Sequence, residues 1–301
     1  QKGDFEGGWP DYEYRWAQLK KMPRVFDEPR WDGSPLEGKT ILVHAEQGLG
    51  DTLQFVRYVP LVQKRGGKTL YECPPALQGL LANFPGVEQL VLAGAPLPPF
   101  DVQVPLLSLP LIFRTTLSSI PANVSSLHVD TSRLAYWRRE LERVGGFKVG
   151  IVWQGNPNNP GDARRSLPLA HFEALARVEE VKLLSLQVGA GTEQLAAAPF
   201  PVTDLGTRFN RDSLDDLAAV LKNVDLVITV ETAAAHLAGA LEIPVWNLLA
   251  YNPCWRWLLD RLDSPWYPTM RLFRQSRLGE WGDVFADVAA ALHRHVGAKT
   301  Q

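Results

Sequence analysis

The sequence predicts an α/β protein built from two doubly wound units. Three observations carry this reading. Short apolar runs alternate with helix-patterned runs from residue 39 to 117, and again from 148 to 249. The apolar runs are solid, as in Ile41, Leu42 and Val43, which marks parallel strands covered on both faces. Polar motifs, some containing glycine, fall where strands give way to helices, the edge at which open parallel sheets bind ligands. The chain has 301 residues, 46% of them apolar, which is enough for two cores.

Residues 1–35 are rich in aromatic, proline and charged residues without a strand pattern. One amphipathic helix is expected near 10–20, and its apolar side must pack on a neighbouring element. From residue 39 the expected strands are 39–45, 68–73, 88–93 and 101–105, with helices at 51–65, 75–84 and 107–117. Pro110, Pro121 and the irregular stretch 119–132 close this half. A helix at 132–144 leads into the next. The second alternation places strands at 148–153, 181–187, 202–205, 225–230 and 244–249. Its helices are expected at 168–178, 192–198, 213–223 and 232–241, joined by right-handed crossovers. A last helix, 281–296, carries Val284, Phe285, Val288, Ala289, Leu292 and Val296 at helical spacing. The expected divisions are 1–35, 36–146, 147–275 and 276–301. Two such units facing each other would leave a ligand cleft between the carboxyl ends of both sheets.

The bulk numbers exclude several classes. A net charge of −2 provides no general field for nucleic acid. No apolar run approaches the roughly 20 residues that span a bilayer. Cys73 and Cys254 lie far apart and form neither a metal spacing nor a disulfide framework. They suit a reducing compartment, so the expected location is cytoplasmic. The ten tryptophans could stack on sugars or bases, though filling cores and interfaces is their commoner use. Asn123 and Ser125 fit a glycosylation acceptor pattern, a short match that arises readily by chance. A chain opening at Gln1 without an initiator methionine is expected to be a piece of a longer one.

The most informative segment is 44–58, HAEQGLGDTLQFVRY. A strand, a turn holding Gly48 and Gly50, and a helix start make a site for an anionic group. Asp51 stands in the first helical turn, where a substrate would be held. The third glycine and the later acid of a dinucleotide fingerprint are missing, and no phosphate-loop lysine follows. Asp51 is either a reactive carboxylate or a helix cap.

A second set of motifs lies in the other half. The strand 225–230 runs into ETAAAHLAGA, residues 231–240. Thr232 sits at a helix start, where a hydroxyl and backbone N–H groups can hold phosphate oxygens. His236 lies one helical turn further on, on the same face. It is either a satisfied core histidine or part of the site, and the nearby Glu231 and Thr232 favour the site. Trp153 and Gln154 leave another strand, followed by a polar loop to Ala163 and then Arg164 and Arg165. Either arginine could pair with a diphosphate. Gln187 ends the next strand and could hydrogen-bond a base or ribose. Glu193 could do the same or simply start its helix. Asp215 and Asp216 are adjacent on a helix, so their side chains diverge. No cluster has metal spacing, and there is no nucleophile elbow.

The chain resembles the glycosyltransferase domain that follows tetratricopeptide repeats in many bacterial proteins. That domain is similar to the heptosyltransferase-type, family 9-like glycosyltransferases of the GT-B fold. The resemblance covers nearly the whole chain: GWPDYEYR at 8–15, EQGLGD at 46–51, VGIVW at 149–153, SLQ at 185–187, TAAAHLAG at 232–239, WRWLLD at 255–260 and SPWYP at 264–268.

The resemblance implies two Rossmann-like domains. The first, 36–146, would take the acceptor, and the second, 147–275, would take the nucleotide sugar. A C-terminal helix, 276–301, would cross back to the first. Residues 1–35 would be the exit from a repeat array absent from this chain, which would help choose the acceptor.

The implied activity is metal-independent, inverting transfer from an ADP- or UDP-linked sugar to a glycan or protein, with no cofactor, no nucleic acid and no transmembrane segment. Asp51 maps onto the proposed base. Glu231, Thr232 and His236 map onto the donor-diphosphate segment, with Glu231 one methylene longer than the usual Asp. Arg164 or Arg165 maps onto the basic residue before the Ser-Leu-Pro segment. Gly48, Gly50, Gln154, Gln187 and Glu193 complete the expected donor-binding set, and no residue is assigned to a metal. Two rival readings remain: an interaction platform that kept the fold without turnover, and a GT-B-like sugar-nucleotide epimerase.

Overall fold

The structure, a computed structural model, describes residues 1–18, 24–121, 126–210 and 212–299. The pattern at Asn123 and Ser125 lies outside the described residues. The chain divides into two compact units, Gln1–His128 and Val129–Gln301.

The first unit holds four parallel strands: β1 (Thr40–His44), β2 (Lys68–Cys73), β3 (Gln89–Leu92) and β4 (Val102–Pro105). Their order is β3-β2-β1-β4. Ile41, Leu42 and Val43 of the inner strand β1 are wholly buried, as their solid apolar run requires. The chain builds outward from β1 through β2 and β3, then returns to β4 on the other side of β1. This reversal is a topological switch point, and the segment after β1 lies at its carboxyl end.

The expected helix 51–65 forms as three pieces: Leu49–Phe55, a 3-10 turn Val56–Tyr58, and Val59–Gln63. Pro60 lacks the N–H that a continuous helix would need there. Pro110 similarly leaves only a 3-10 turn Leu106–Ser108 and a short helix Leu109–Ile112 within the expected 107–117.

The N-terminal stretch is part of this first unit. Its helix begins earlier than expected, at Phe5–Tyr12, because Asp4 caps it by accepting from Gly7 N at 2.9 Å. Residues 19 and 20 of the expected helix lie outside the described residues. Phe5 and Trp9 are buried, and Trp9 Nε1 donates to Thr115 O at 2.7 Å. Further on, Arg30 forms a parallel bridge with Gln103, and Trp31 N donates to Gln103 O at 2.8 Å. This stretch therefore lines the free edge of β4.

The second unit holds six parallel strands: β5 (Phe147–Val152), β6 (Val181–Ser185), β7 (Thr203–Asp204), β8 (Leu226–Val230), β9 (Val245–Leu249) and β10 (Met270–Arg274). Their order is β10-β9-β8-β5-β6-β7, which puts the switch point between β5 and β8. The edge strand β10 was not expected. Its sequence, MRLFR, places an arginine between two buried apolar residues and lacks the solid run of the inner strands.

Helix Thr131–Glu142 belongs to this unit, upstream of the expected division near 146. Its Trp137 Nε1 and Arg133 Nη1 both donate to Asp216 Oδ1, at 3.1 and 2.8 Å. The last helix is Gly282–Lys299. Its Val284, Phe285, Val288, Leu292 and Val296 share one core with Phe147, Phe172, Trp246 and Phe273 of the same unit. The apolar face of this helix is thus buried in the core of its own unit. Among the described residues no helix is long and apolar enough to cross a membrane.

Candidate functional site

In the first unit the sequence after β1 forms a tight turn onto helix Leu49–Phe55. Gln47 takes φ 61°, a left-handed backbone uncommon for a non-glycine residue. Gly48 is the N-cap, and its N–H donates to Asp51 Oδ2 at 2.9 Å. Asp51 thus caps the turn through one carboxylate oxygen, and its side chain remains half-buried. Gly50 occupies the first turn of that helix, so Gly48 and Gly50 lie beside Asp51 in the first unit.

Beneath the turn is a buried polar layer that the sequence reading did not single out. Arg15 donates from Nη2 and Nε to Glu46 Oε1, at 2.6 and 3.0 Å, and from Nη2 to Ser108 Oγ at 2.9 Å. Burial pushes the Glu46 carboxyl up to about 7, against the pull of Arg15. His44 stands beside it, with Nε2 3.2 Å from Gln103 Oε1, and burial lowers its pKa to about 4. Glu72, at the same sheet edge, pairs with Arg24. The motif GWPDYEYR carried the signal: Trp9, Glu13 and Arg15 all serve this packing.

In the second unit the expected donor residues gather on both sides of the switch point. Thr232 is the N-cap of helix Ala233–Ala240, and its side chain makes no capping hydrogen bond to that helix. Its Oγ1 lies 3.1 Å from Thr229 Oγ1. His236, 9% exposed, has Nδ1 3.0 Å from Tyr267 OH, and its ring lies tilted against Trp257 with centres 5.3 Å apart. Gly239 lets the Tyr267 ring approach this helix, since a β-carbon there would lie 2.5 Å from the ring.

The two arginines after β5 separate. Arg164 is exposed, whereas Arg165 is half-buried, with Nε 3.0 Å from Asp162 Oδ1. The charge of Arg165 is felt at Glu231, together with that of Arg256. A cavity of about 560 Å³ opens beside this loop, with Gln154, Asn159, Ser166 and Gln194 among its walls.

Three expected ligand contacts have other partners. Gln187 is buried and accepts from the N–H groups of Trp153 and Gln154, both at 3.1 Å. Its Nε2 donates to Gln154 O and Ala190 O. It staples the β5 and β6 loops together and leaves nothing for a base or ribose. Glu193 accepts from Gly191 N at 2.9 Å and serves its own helix start. Glu231 is 7% exposed, and its Oε2 accepts from Trp257 Nε1 at 2.7 Å and Cys254 N at 3.1 Å. A carboxylate beside a diphosphate would repel it, and here the side chain faces a loop instead. Burial raises its pKa.

Among the described residues, no group of three or more His, Cys, Asp and Glu side chains is placed to hold an ion. The sequence reading did not single out Trp257 and Tyr267, which contact Glu231 and His236, or Arg256 and Arg274, whose charges act on Glu231, although Arg256, Trp257 and Tyr267 lie in the quoted segments WRWLLD and SPWYP.

No protein-family model matches the chain. It is 30% identical to Protein FlbA of Caulobacter vibrioides over 314 residues, which covers 95% of this chain and 52% of that protein. The chain thus spans about half the length of the curated relative it matches. Among solved structures it is similar to the glycosyl transferase family 9 protein of Veillonella parvula, with a TM-score of 0.59, 11% identity, and 81% and 88% of the two chains covered. It is similar to the ADP-heptose lipopolysaccharide heptosyltransferase II of E. coli, with a TM-score of 0.57, 14% identity, and 85% and 99% covered. A third is E. coli heptosyltransferase WaaC with ADP-2-deoxy-2-fluoro heptose, with a TM-score of 0.52, 13% identity, and 86% and 99% covered. Two Rossmann-like units with parallel sheets, matched across most of both chains, give this protein the GT-B fold of those glycosyltransferases.

Proposed function

We propose that this chain is a metal-independent, inverting glycosyltransferase that moves a sugar from a nucleotide-sugar donor to a glycan or protein acceptor. The observation that carries the reading is the second unit's switch point. An uncapped helix start at Thr232, the His236 ring and the half-buried Arg165 gather there around the β5 and β8 ends.

In this reading the helix start, His236 and Arg165 hold the donor diphosphate. They stabilise the charge that grows on it as the bond to the anomeric carbon breaks. The neutral amides of the cavity beside Gln154 suit sugar or ribose hydroxyls. Asp51, in the first unit, takes the proton of the attacking acceptor group. A single displacement with one base inverts the anomeric centre. The cations do the work a divalent ion would otherwise do, so no metal is invoked.

An ADP-linked donor is favoured, with UDP as the other choice, because WaaC shares this fold and its structure holds an ADP-sugar analogue. Tetratricopeptide repeats joined to such a domain would help choose the acceptor. The two free cysteines suit the cytoplasm.

A panel of ADP- and UDP-sugars, measured by thermal shift and by release of the nucleoside diphosphate, tests this. One donor should stabilise the chain and be slowly hydrolysed without an acceptor. Binding without any release would favour the interaction platform. Stabilisation by no member of the panel would sink the donor assignment.

A further inference from the structure

Glu231 is a buried acid that the proposed transfer does not use. It follows β8 directly and precedes Thr232, and it reaches across to the segment 252–258 that follows β9. One oxygen, Oε2, takes both the Trp257 indole N–H and the Cys254 backbone N–H. From the other side Arg274 Nη2 donates to Leu258 O at 2.8 Å and, less closely, to Trp257 O at 3.4 Å. Where these two clamps meet, Leu258 takes φ 54° and ψ −168°, and just beyond them Asp260 takes φ 54°. Such backbone in non-glycine residues persists only where its surroundings hold it, and it gathers at ligand clamps.

The clamped turn packs against one group of the proposed donor site. The Trp257 ring lies tilted against the His236 ring, with centres 5.3 Å apart. Arg256, buried at 6% exposure, lies with its guanidinium carbon 4.6 Å from the Trp255 ring centre and Nη1 3.0 Å from Cys254 Sγ. An aspartate at position 231 would end about 1.5 Å short. That would take the 2.7 Å indole contact out of hydrogen-bond range.

We propose that Glu231 is a positioning residue: its length locks the strained turn 252–258, and through Trp257 it sets His236 to receive the donor diphosphate. This rests on the donor-site reading above. Glu231 would act through Trp257 and Cys254 and not touch the donor itself.

Two variants separate reach from charge. Glu231→Gln keeps the length and an oxygen that can accept both bonds. Glu231→Asp keeps the charge and loses the reach. Two measurements are made on each and on the wild type: backbone amide exchange across 252–258, and affinity for ADP and UDP against adenosine and uridine. In Glu231→Asp, exchange in the turn should rise about tenfold or more, since hydrogen bonds to charged groups are lost. Its diphosphate affinity should fall about tenfold while nucleoside affinity holds. Glu231→Gln should stay near wild type in both.

Unchanged exchange in Glu231→Asp would overturn the lock. Faster exchange with unchanged diphosphate affinity would show a lock that does not serve the site, and would overturn the proposal as well. Equal losses in both variants would show that length alone does not hold the turn, and would reject the length argument. If the wild type binds neither ADP nor UDP, the donor-site reading falls and takes the diphosphate half of this proposal with it. The exchange arm still decides whether Glu231 holds the turn.

Discussion

The Arg15 guanidinium lies 2.6 Å from a Glu46 carboxylate oxygen, and both side chains are 3% exposed. This pair joins the N-terminal stretch to the root of the turn that carries Asp51. Removing one partner of such a pair leaves an uncompensated buried charge, which costs about 3–5 kcal/mol. Arg15→Met should therefore destabilise the first unit by up to that amount in urea unfolding well above pH 7, where the Glu46 carboxyl is ionised. Adding Glu46→Gln should recover a good part of the loss. A single variant that costs less than about 1 kcal/mol would mean the pair behaves like an exposed one.

Burial lowers the His44 pKa from 6.5 to about 4. The folded state then binds fewer protons than the unfolded state between those values, so stability falls as pH drops through that window. At ~1.4 kcal/mol per pKa unit, the loss amounts to about 3 kcal/mol at the acid end. Glu46 has the opposite sign. Its carboxyl is raised to about 7, so it contributes stability that is lost as pH rises toward that value. The difference between wild type and His44→Leu isolates the histidine. The variant's melting temperature should fall less steeply from pH 6.5 to 4, and parallel curves would refute the assignment.

Asp51→Asn keeps an oxygen that can accept from Gly48 N, so the helix cap survives. If Asp51 is the base, sugar transfer should drop about 100-fold or more, with donor affinity and melting temperature nearly unchanged. Retention of more than about a tenth of the activity would leave Asp51 as a cap alone.

Arg165, not Arg164, is the expected diphosphate partner, because only Arg165 is half-buried and electrostatically coupled to the β8 end. Arg165→Met should weaken ADP or UDP binding about tenfold, the scale of one hydrogen bond to a charged group. Arg164→Met should leave it nearly unchanged. Titration calorimetry giving equal losses for the two would reject the distinction.

His236→Ala should weaken nucleoside diphosphate binding more than nucleoside binding, since only the former carries the charge this site would hold. Chelator should change neither. Binding that vanishes in chelator and returns with magnesium would replace the metal-free proposal with a metal-dependent one.

Much of this protein is determined by local pattern. Apolar runs place β1, β5, β8 and β9 within a residue or so of their ends, because buried parallel strands leave few polar alternatives. Polar residues after β1, β5 and β8 stand at carboxyl ends beside a reversal of strand order, the arrangement that marks ligand sites. Edge strand β10 escaped notice because its arginines break the solid run. The partner of helix Gly282–Lys299 could not be read either, since helical spacing defines an apolar face and not what covers it.

The same limit applies to side chains at the site. Gln187 and Glu231 look ligand-facing in sequence, because a polar residue at a strand end has one signature whether it meets a ligand or a neighbouring loop. Only the folded chain separates the two cases, by bringing Trp153 and Gln154 onto Gln187, and Cys254 and Trp257 onto Glu231. Arg164 and Arg165 are adjacent in sequence. The short helix that holds them turns one to solvent and the other toward Asp162. The sequence by itself determined the strands and the edges where chemistry would sit. Tertiary structure decided which polar groups are tied up in hydrogen bonds, because those bonds join residues that local pattern cannot place together.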